Sequence, residues 1–393
     1  MKILIVTGKF HGSGGTETFV RNISQSFIKR GHTVTIVSHQ KFFERKRGLR
    51  GGKFNVYYTF PSFHIPRIPM SYMPFYVLAK CLRLSMIAKQ RYDIVNVQGE
   101  LEGFCTLQVK SLLNCPITVR VAGIWHSIGV KEMLRVYGNN RLTSGISWVI
   151  KLMEKEALEK SDAISTLNEQ QKEILVKEYN VSPRKVRVIP HGVNTDVFSP
   201  KMISRYRNAM RTFYHLEGPV ILYVGRLTPI KRIDLLLEAL GLLVRDIPHL
   251  KLVLIGPRSY KDIDYYMTQA GSLKVDKNLV YLGEVPHEKM VKYLAISDVY
   301  ADVSEEYGLG FSTLEAMSCG LPVVATRAEE GVLKVNYDVQ SIAEGIRSLL
   351  ADEKKARTLG EKARKHIVKA HSLEKVVDEY IGFFEDTLNR KND

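Results

Sequence analysis

Only four of the 393 residues are cysteine (Cys81, Cys105, Cys115 and Cys319), and none forms a CxxC pair or a zinc-like spacing. A disulfide framework and a cysteine metal site are therefore excluded, and free buried thiols in a reducing compartment are expected. No apolar run approaches the ~18–20 residues a membrane span needs. The apolar core of the opening MKILIVTGKF is shorter than the ~7–15 residues of a signal-peptide core and reads as a buried first strand. Tandem repeats and low-complexity tracts are lacking as well. Acidic residues are scarce in one region only. Residues 1–150 hold 21 basic and 6 acidic side chains, and residues 151–393 hold 36 and 35. Nearly all of the +16 net charge thus sits in the first part of the chain, which implies an anionic partner there.

What is present is ordinary globular material, 45% hydrophobic and 25% charged, long enough to bury its own core without staples. Two β-α-β openings stand out. Ile3–Val6 leads into the glycine loop Gly8–Gly15, then into a helix with Phe19, Val20, Ile23, Phe27 and Ile28 at helical spacing and a stop at Gly31, then into the strand Thr33–Ser38. About 215 residues later, VILYVG (Val220–Gly225), a loop, IDLLLEALGLLV and LKLVLIG repeat the order. Continuous apolar strands alternating with helices indicate an α/β fold of two doubly wound, Rossmann-like domains with parallel sheets. The Pro- and Gly-punctuated PHGVNTDVFSP (Pro190–Pro200) reads as the connection. The expected divisions are 1–195, 196–371 and a terminal helix in 372–393 that returns to the first domain. Leu373, Val376, Val377, Tyr380, Ile381, Phe384 and Leu388 form that helix's apolar stripe.

The first glycine loop does not fit a dinucleotide site. Gly12-Ser13-Gly14 supplies G-x-G, but Glu17 occupies the third glycine position. Ser38-His39-Gln40 stands where an acidic residue would meet the ribose. Gly14 and Gly15 at a helix N-terminus remain suited to close approach by a phosphate or sugar. In the second half, Arg226 and Lys231 lie five residues apart in a strand-to-helix loop, a pair of cations fit for a diphosphate. Asp302–Thr326 then reads as strand end, glycine loop, short helix and strand, with Gly308 and Gly310 allowing close backbone approach. Glu315 is expected in the helix's first turn, where its carboxylate accepts from the vicinal hydroxyls of a ribose. A D-x-D at Asp262–Asp264 is discounted, because 15 aspartates in 393 positions give about 0.6 such matches by chance.

Taken together, GGTETFV, PHGVNTDVF, VGRLTPIKRIDLLLEAL and YGLGFSTLEAMSCGLPVVAT resemble glycosyltransferase family 4 over nearly the whole chain. The resemblance implies a GT-B architecture, two Rossmann-like domains facing a cleft. It implies a retaining glycosyltransferase of hexosyl type that uses a nucleotide-diphospho-sugar and no metal or other cofactor. Arg226 and Lys231 would hold the diphosphate, and Glu315 the ribose. Gly14, Gly15, Gly225, Gly308, Leu309, Gly310, Phe311, Ser312 and Thr313 would line the donor site. Three positions depart from the family pattern. Tyr307 replaces the first carboxylate of a glutamate pair, and a one-residue bulge would bring Glu306 into that role. PVVATRAEEGVLKV is short after Thr326 and lacks a glycine pair and Pro-Glu. Ala122-Gly123 stands where many members carry a catalytic histidine, leaving His126 as the candidate acceptor-side contact.

The basic run KFFERKRGLRGGK (41–53) and the aromatic, Met- and Lys/Arg-bearing segment after it suit an anionic lipid surface. The expected acceptor is anionic or lipid-phosphate-linked, with peripheral contact on the cytoplasmic membrane face. No known nucleic-acid-binding module is present. The alternatives are a nucleotide-sugar-binding protein of the same fold without transferase activity, and a basic scaffold at a membrane.

Overall fold

The computed structural model describes residues 1–10, 14–39, 55–59, 72–123, 130, 133–134, 138–257, 262–305 and 308–392. Two compact units result, Met1–His191 with Glu374–Asp393, and Gly192–Leu373. The change of unit thus falls inside the predicted connection Pro190–Pro200.

The first unit carries strands β1 (Lys2–Thr7), β2 (Thr33–Ser38), β3 (Asn55–Tyr58), β4 (Ile94–Gln98), β5 (Ile117–Val121), β6 (Ala163–Thr166) and β7 (Val186–Val188). They form one sheet in the order β3-β2-β1-β4-β5-β6-β7, every pair parallel. Ile3, Leu4, Ile5 and Val6 are all fully buried, because a parallel strand covered by helices on both faces has no solvent side. The helices that matter below are α1 (Gly15–Lys29), α2 (Met73–Ile87), α3 (Glu100–Leu107) and α4 (Arg141–Lys160). Helix α1 buries Phe19, Val20, Ile23 and Phe27, four of the five predicted apolar positions.

The second unit carries β8 (Val220–Val224), β9 (Lys251–Ile255), β10 (Leu279–Tyr281), β11 (Val299–Asp302), β12 (Val323–Ala325) and β13 (Val332–Lys334) in the order β10-β9-β8-β11-β12-β13. Alternate residues along each strand supply two cores, as the period of two requires. Ile221, Tyr223, Leu252 and Val299 meet helix α5 (Ile233–Leu243) on one face. Val220, Leu222, Val253 and Tyr300 meet α6 (Phe311–Ser318) and α7 (Glu353–Ala370) on the other.

The last helix, α8 (Leu373–Asn392), runs four residues beyond the predicted stripe. From Glu374 on it belongs to the first unit. Tyr380 and Phe384 lie 5.6 Å and 5.7 Å, ring to ring, from Phe19 and Phe27 of α1. Arg30 pairs with Asp378, and Arg187 with Asp386. Beneath them the fully buried Arg120 stacks 3.8 Å over the Phe19 ring and lies 2.9 Å from His191 Nδ1.

Candidate functional site

In both sheets the order turns back at the first strand of the unit, and at such a switch the carboxyl edge leaves room for a ligand. The second unit gathers most of the predicted residues there. Gly225 follows β8, and its N–H donates to the Ile255 carbonyl at 2.8 Å. The neighbouring Gly256 has φ +155°, and a Cβ on it would come within 1.8 Å of the Gly225 carbonyl oxygen. Only glycine allows β8 and β9 to end this close together. Arg226 is exposed just beyond, and the half-buried Lys231 closes the short turn Pro229–Lys231.

The second glycine loop is stitched to the first. Ser312 Oγ donates to the Val224 carbonyl at 2.7 Å, and the Glu305 N–H to the Ile230 carbonyl at 2.8 Å. Arg232, left-handed at φ 52° ahead of α5, is held by Asp234 and by Glu305 Oε1 at 3.0 Å. Gly310 sits at the N-cap of α6, after Gly308 and the buried Leu309, and Phe311 opens the helix. Thr313 Oγ1 donates to Asp302 Oδ2 at 2.7 Å. Ser304 donates its hydroxyl to Asp302 Oδ1 at 2.6 Å. Burial alone would push the Asp302 carboxyl up. Lys231 and Arg327, with the Ser304 and Thr313 hydrogen bonds, outweigh that and hold it below the ordinary carboxylate value.

Glu315 corrects the sequence expectation. Helix α6 begins at Phe311 rather than near Thr313, so Glu315 lies in the second turn, beyond the four free N–H groups. It is 3% exposed, and its Oε1 lies 2.5 Å from Nε2 of His287, a residue the sequence gave no reason to choose. Asp302 and Arg327 were likewise not singled out. The available signal was positional, since each stands at or just after the carboxyl end of an apolar strand, VYAD and VVA. Arg327 follows Thr326 in the short segment and donates from Nη1 to the Ser304 carbonyl at 2.7 Å.

In the first unit, Gly14 is the N-cap of α1 and Gly15 its first residue, both exposed. Next to Gly8, at the carboxyl edge of β1, β2 and β4, lies a buried polar cluster. Tyr76 Oη donates to Glu102 Oε1 at 2.6 Å, and Lys80 Nζ to the Thr7 carbonyl at 2.8 Å. His39 packs on Tyr76 with ring centroids 4.8 Å apart. Burial brings the Lys80 ammonium down to about 8, despite the Glu102 charge that favours protonation. The available sequence signal for this cluster was Tyr76 and Lys80, four apart and so on one face of a mostly apolar helix. Glu306, His126 and the basic run 41–53 lie outside the described residues.

Two family models match. One described as glycosyl transferases group 1 covers residues 211–366, and one described as glycosyltransferase family 4 covers 13–197. A GDP-mannose-dependent alpha-(1-6)-phosphatidylinositol monomannoside mannosyltransferase of Mycolicibacterium smegmatis is 33% identical over 193 residues, 44% of this chain and 49% of the relative. The chain therefore aligns with about half the length of that curated relative. Among solved structures, sucrose-phosphate synthase from Thermosynechococcus elongatus superposes with a TM-score of 0.81 at 21% identity, covering 99% of this chain and 100% of that one. Anabaena HepE in complex with UDP and glucose does so at 0.76 and 18%, covering 98% and 99%. At these identities the likeness is one of fold, the GT-B fold of two parallel-sheet Rossmann-like domains. Because the two family models follow one another along most of its length, the chain belongs to glycosyltransferase family 4.

Proposed function

We propose that this chain is a retaining glycosyltransferase that moves a sugar from a nucleotide-diphospho-sugar to an anionic, lipid-phosphate-linked acceptor at a membrane surface. The observation that carries the donor half is the convergence of Gly225, Arg226, Lys231 and the N-terminus of α6 on one sheet edge, laced by the Ser312–Val224 and Glu305–Ile230 hydrogen bonds. Departure of a nucleoside diphosphate breaks the bond from the anomeric carbon and leaves its electron pair on the bridging oxygen. Cations and backbone N–H groups already in place at that charge are worth several kcal/mol, on the order of 3 each, in the transition state. In this reading Arg226 and Lys231, rather than a metal ion, neutralise the leaving group. The acceptor hydroxyl oxygen then forms the new bond to the anomeric carbon on the same face and gives up its proton to the departing diphosphate oxygen. The UDP and glucose bound by HepE support a donor of this chemical class.

The acceptor half rests on the surface of the first unit. Helix α2 exposes Phe75, Leu78, Leu82 and Met86 on one stripe, with the cations Arg83 and Lys89 alongside. Helix α4 exposes Leu142, Trp148, Val149 and Leu152, with Lys151 and Lys155. Apolar stripes edged by Lys and Arg, in the part of the chain with the excess positive charge, match an anionic lipid interface. No described helix is long and apolar enough to cross a membrane. The Mycolicibacterium relative, named for a phosphatidylinositol acceptor, points the same way.

The test is release of nucleotide from a panel of nucleotide sugars with membrane lipid extract, followed by NMR of the product's anomeric proton. Turnover with the donor's anomeric configuration preserved is the expected result. Donor binding without turnover on any lipid extract would favour the non-catalytic sugar-nucleotide-binding alternative.

A further inference from the structure

Just after Arg327, the second unit brings Glu329, His366 and His371 together, with one potential ligand atom from each lying within 4.8 Å of the others. The sequence folds them so for identifiable reasons. Gly331 takes φ +83° and lies so close to α7 that a Cβ would come within 2.3 Å of the Ala363 Cα, so the 329–331 turn is seated against that helix. The Val332 N–H closes the turn on the Glu329 carbonyl at 3.1 Å. His366 is on the last turn but one of α7, and His371 is its C-cap, ring centroids 5.3 Å apart. The His371 carbonyl is itself fixed, accepting from Val193 N–H at 2.8 Å.

The two nitrogens of His366 are unequal. Nδ1 lies 3.2 Å from Glu330 Oε2 in a hydrogen bond. Nε2 is buried with no hydrogen-bond partner, although Glu329 Oε1 is only 3.0 Å away. An N–H on Nε2 is thus not directed at that carboxylate. With Nδ1 donating to Glu330, a cation held between Nε2 and Glu329 Oε1 would satisfy both atoms. Two ligands about 2.0–2.1 Å from a tetrahedral zinc ion stand roughly 3.3 Å apart, close to the observed separation. A histidine ligand whose other nitrogen donates to a carboxylate is the usual outer-sphere arrangement, and Glu330 supplies it. The C-terminal end of α7, where the helix dipole favours positive charge, adds to the fit.

We propose that Glu329, His366 and His371 form a divalent-cation site of the Zn2+ class, with Glu330 orienting His366. The ion would clasp the segment after Arg327 to the end of α7. Neither partner is needed for the donor chemistry proposed above, so the site stands or falls separately.

The test uses the full chain, stripped with chelator and titrated with ZnCl2 by calorimetry, with cobalt substituted for its visible spectrum. One equivalent of Zn2+ per chain is expected, with a tetrahedral-type cobalt absorption and a metal-dependent rise in melting temperature. E329Q, which keeps size and shape, and H371N, which keeps a planar polar group, should each weaken binding at least tenfold while leaving the metal-free melting temperature within a few degrees. H366Q should abolish the cobalt spectrum. Sub-stoichiometric binding, or an affinity unchanged in E329Q and H366Q, overturns the proposal.

Discussion

Thr313 Oγ1 donates a 2.7 Å hydrogen bond to Asp302 Oδ2, tying the start of α6 to the end of β11. That single contact sets where the second glycine loop ends, because Asp302 is fully held from the other side by Ser304, Lys231 and Arg327. Replacing Thr313 with Val keeps the shape and removes the donor. The loss should cost about 1–3 kcal/mol, the usual penalty for unpairing a buried group. The pH dependence has a definite sign. The folded-state value of Asp302 is depressed, so its stabilisation is complete above the ordinary carboxylate range and is lost as pH falls through the folded value. T313V should therefore begin acid unfolding at higher pH than the parent, read by circular dichroism. Coincident acid transitions would show that Asp302 is not held by this bond.

Arg226, which is exposed, is expected to act on the chemical step more than on folding, and the half-buried Lys231 on both, since it also faces Asp302. Arg226→Ala and Lys231→Met should each reduce turnover at least ~10²-fold, the scale of removing one oriented charge stabiliser. The melting temperature should stay near the parent's in Arg226→Ala, whereas Lys231→Met should also lower it, because it removes a cation facing the buried Asp302. Unchanged turnover in both would remove these cations from the mechanism.

Lys80 gives a pH signature of the same sign as Asp302, but in the alkaline range. Its folded value is about 8 against 10.5 for an ordinary lysine. Between those values the unfolded chain holds the proton and the folded chain has released it, so stability rises with pH across this window. At ~1.4 kcal/mol per unit the full effect is on the order of 3 kcal/mol. Urea unfolding at pH 7, 8, 9 and 10 should show the rise, and Lys80→Met should flatten it. A parent protein with level stability from pH 8 to 10 contradicts the burial argument.

The exposed stripe of α2 predicts a separable defect. Leu78→Glu with Leu82→Glu places two carboxylates on a surface that is apolar and flanked by cations, at little cost to a helix that buries neither residue. Flotation with phosphatidylinositol-containing vesicles at low salt should fall at least several-fold, and donor hydrolysis without lipid should be unaffected. Equal flotation of parent and double variant would place the membrane contact elsewhere.

Much of this was legible in advance. Strands such as Ile3–Val6 and Val220–Val224 announce themselves because parallel strands are buried on both faces and so read as unbroken apolar runs. Helix α1 and α8 were legible from their 3.6-residue stripes, and the donor loops from glycines flanking Arg226, Lys231 and Thr313. Glu315 was found, but its place in the helix was not. A helix start is set by which residue caps it, and Gly310 carries no side-chain signal that separates it from Gly308.

The sequence by itself determined the order of strands and helices, the two-unit α/β plan and the placing of Arg226 and Lys231 on one strand-to-helix loop, because periodicity and turn chemistry are local properties. The partners of buried polar groups were decided only by tertiary structure. Glu315 beside His287, Tyr76 on Glu102, Arg327 on Ser304 and His366 between two glutamates join residues 23 to 37 positions apart. Which distant side chain satisfies a buried charge depends on how sheet edges and helices pack, and no local pattern encodes that.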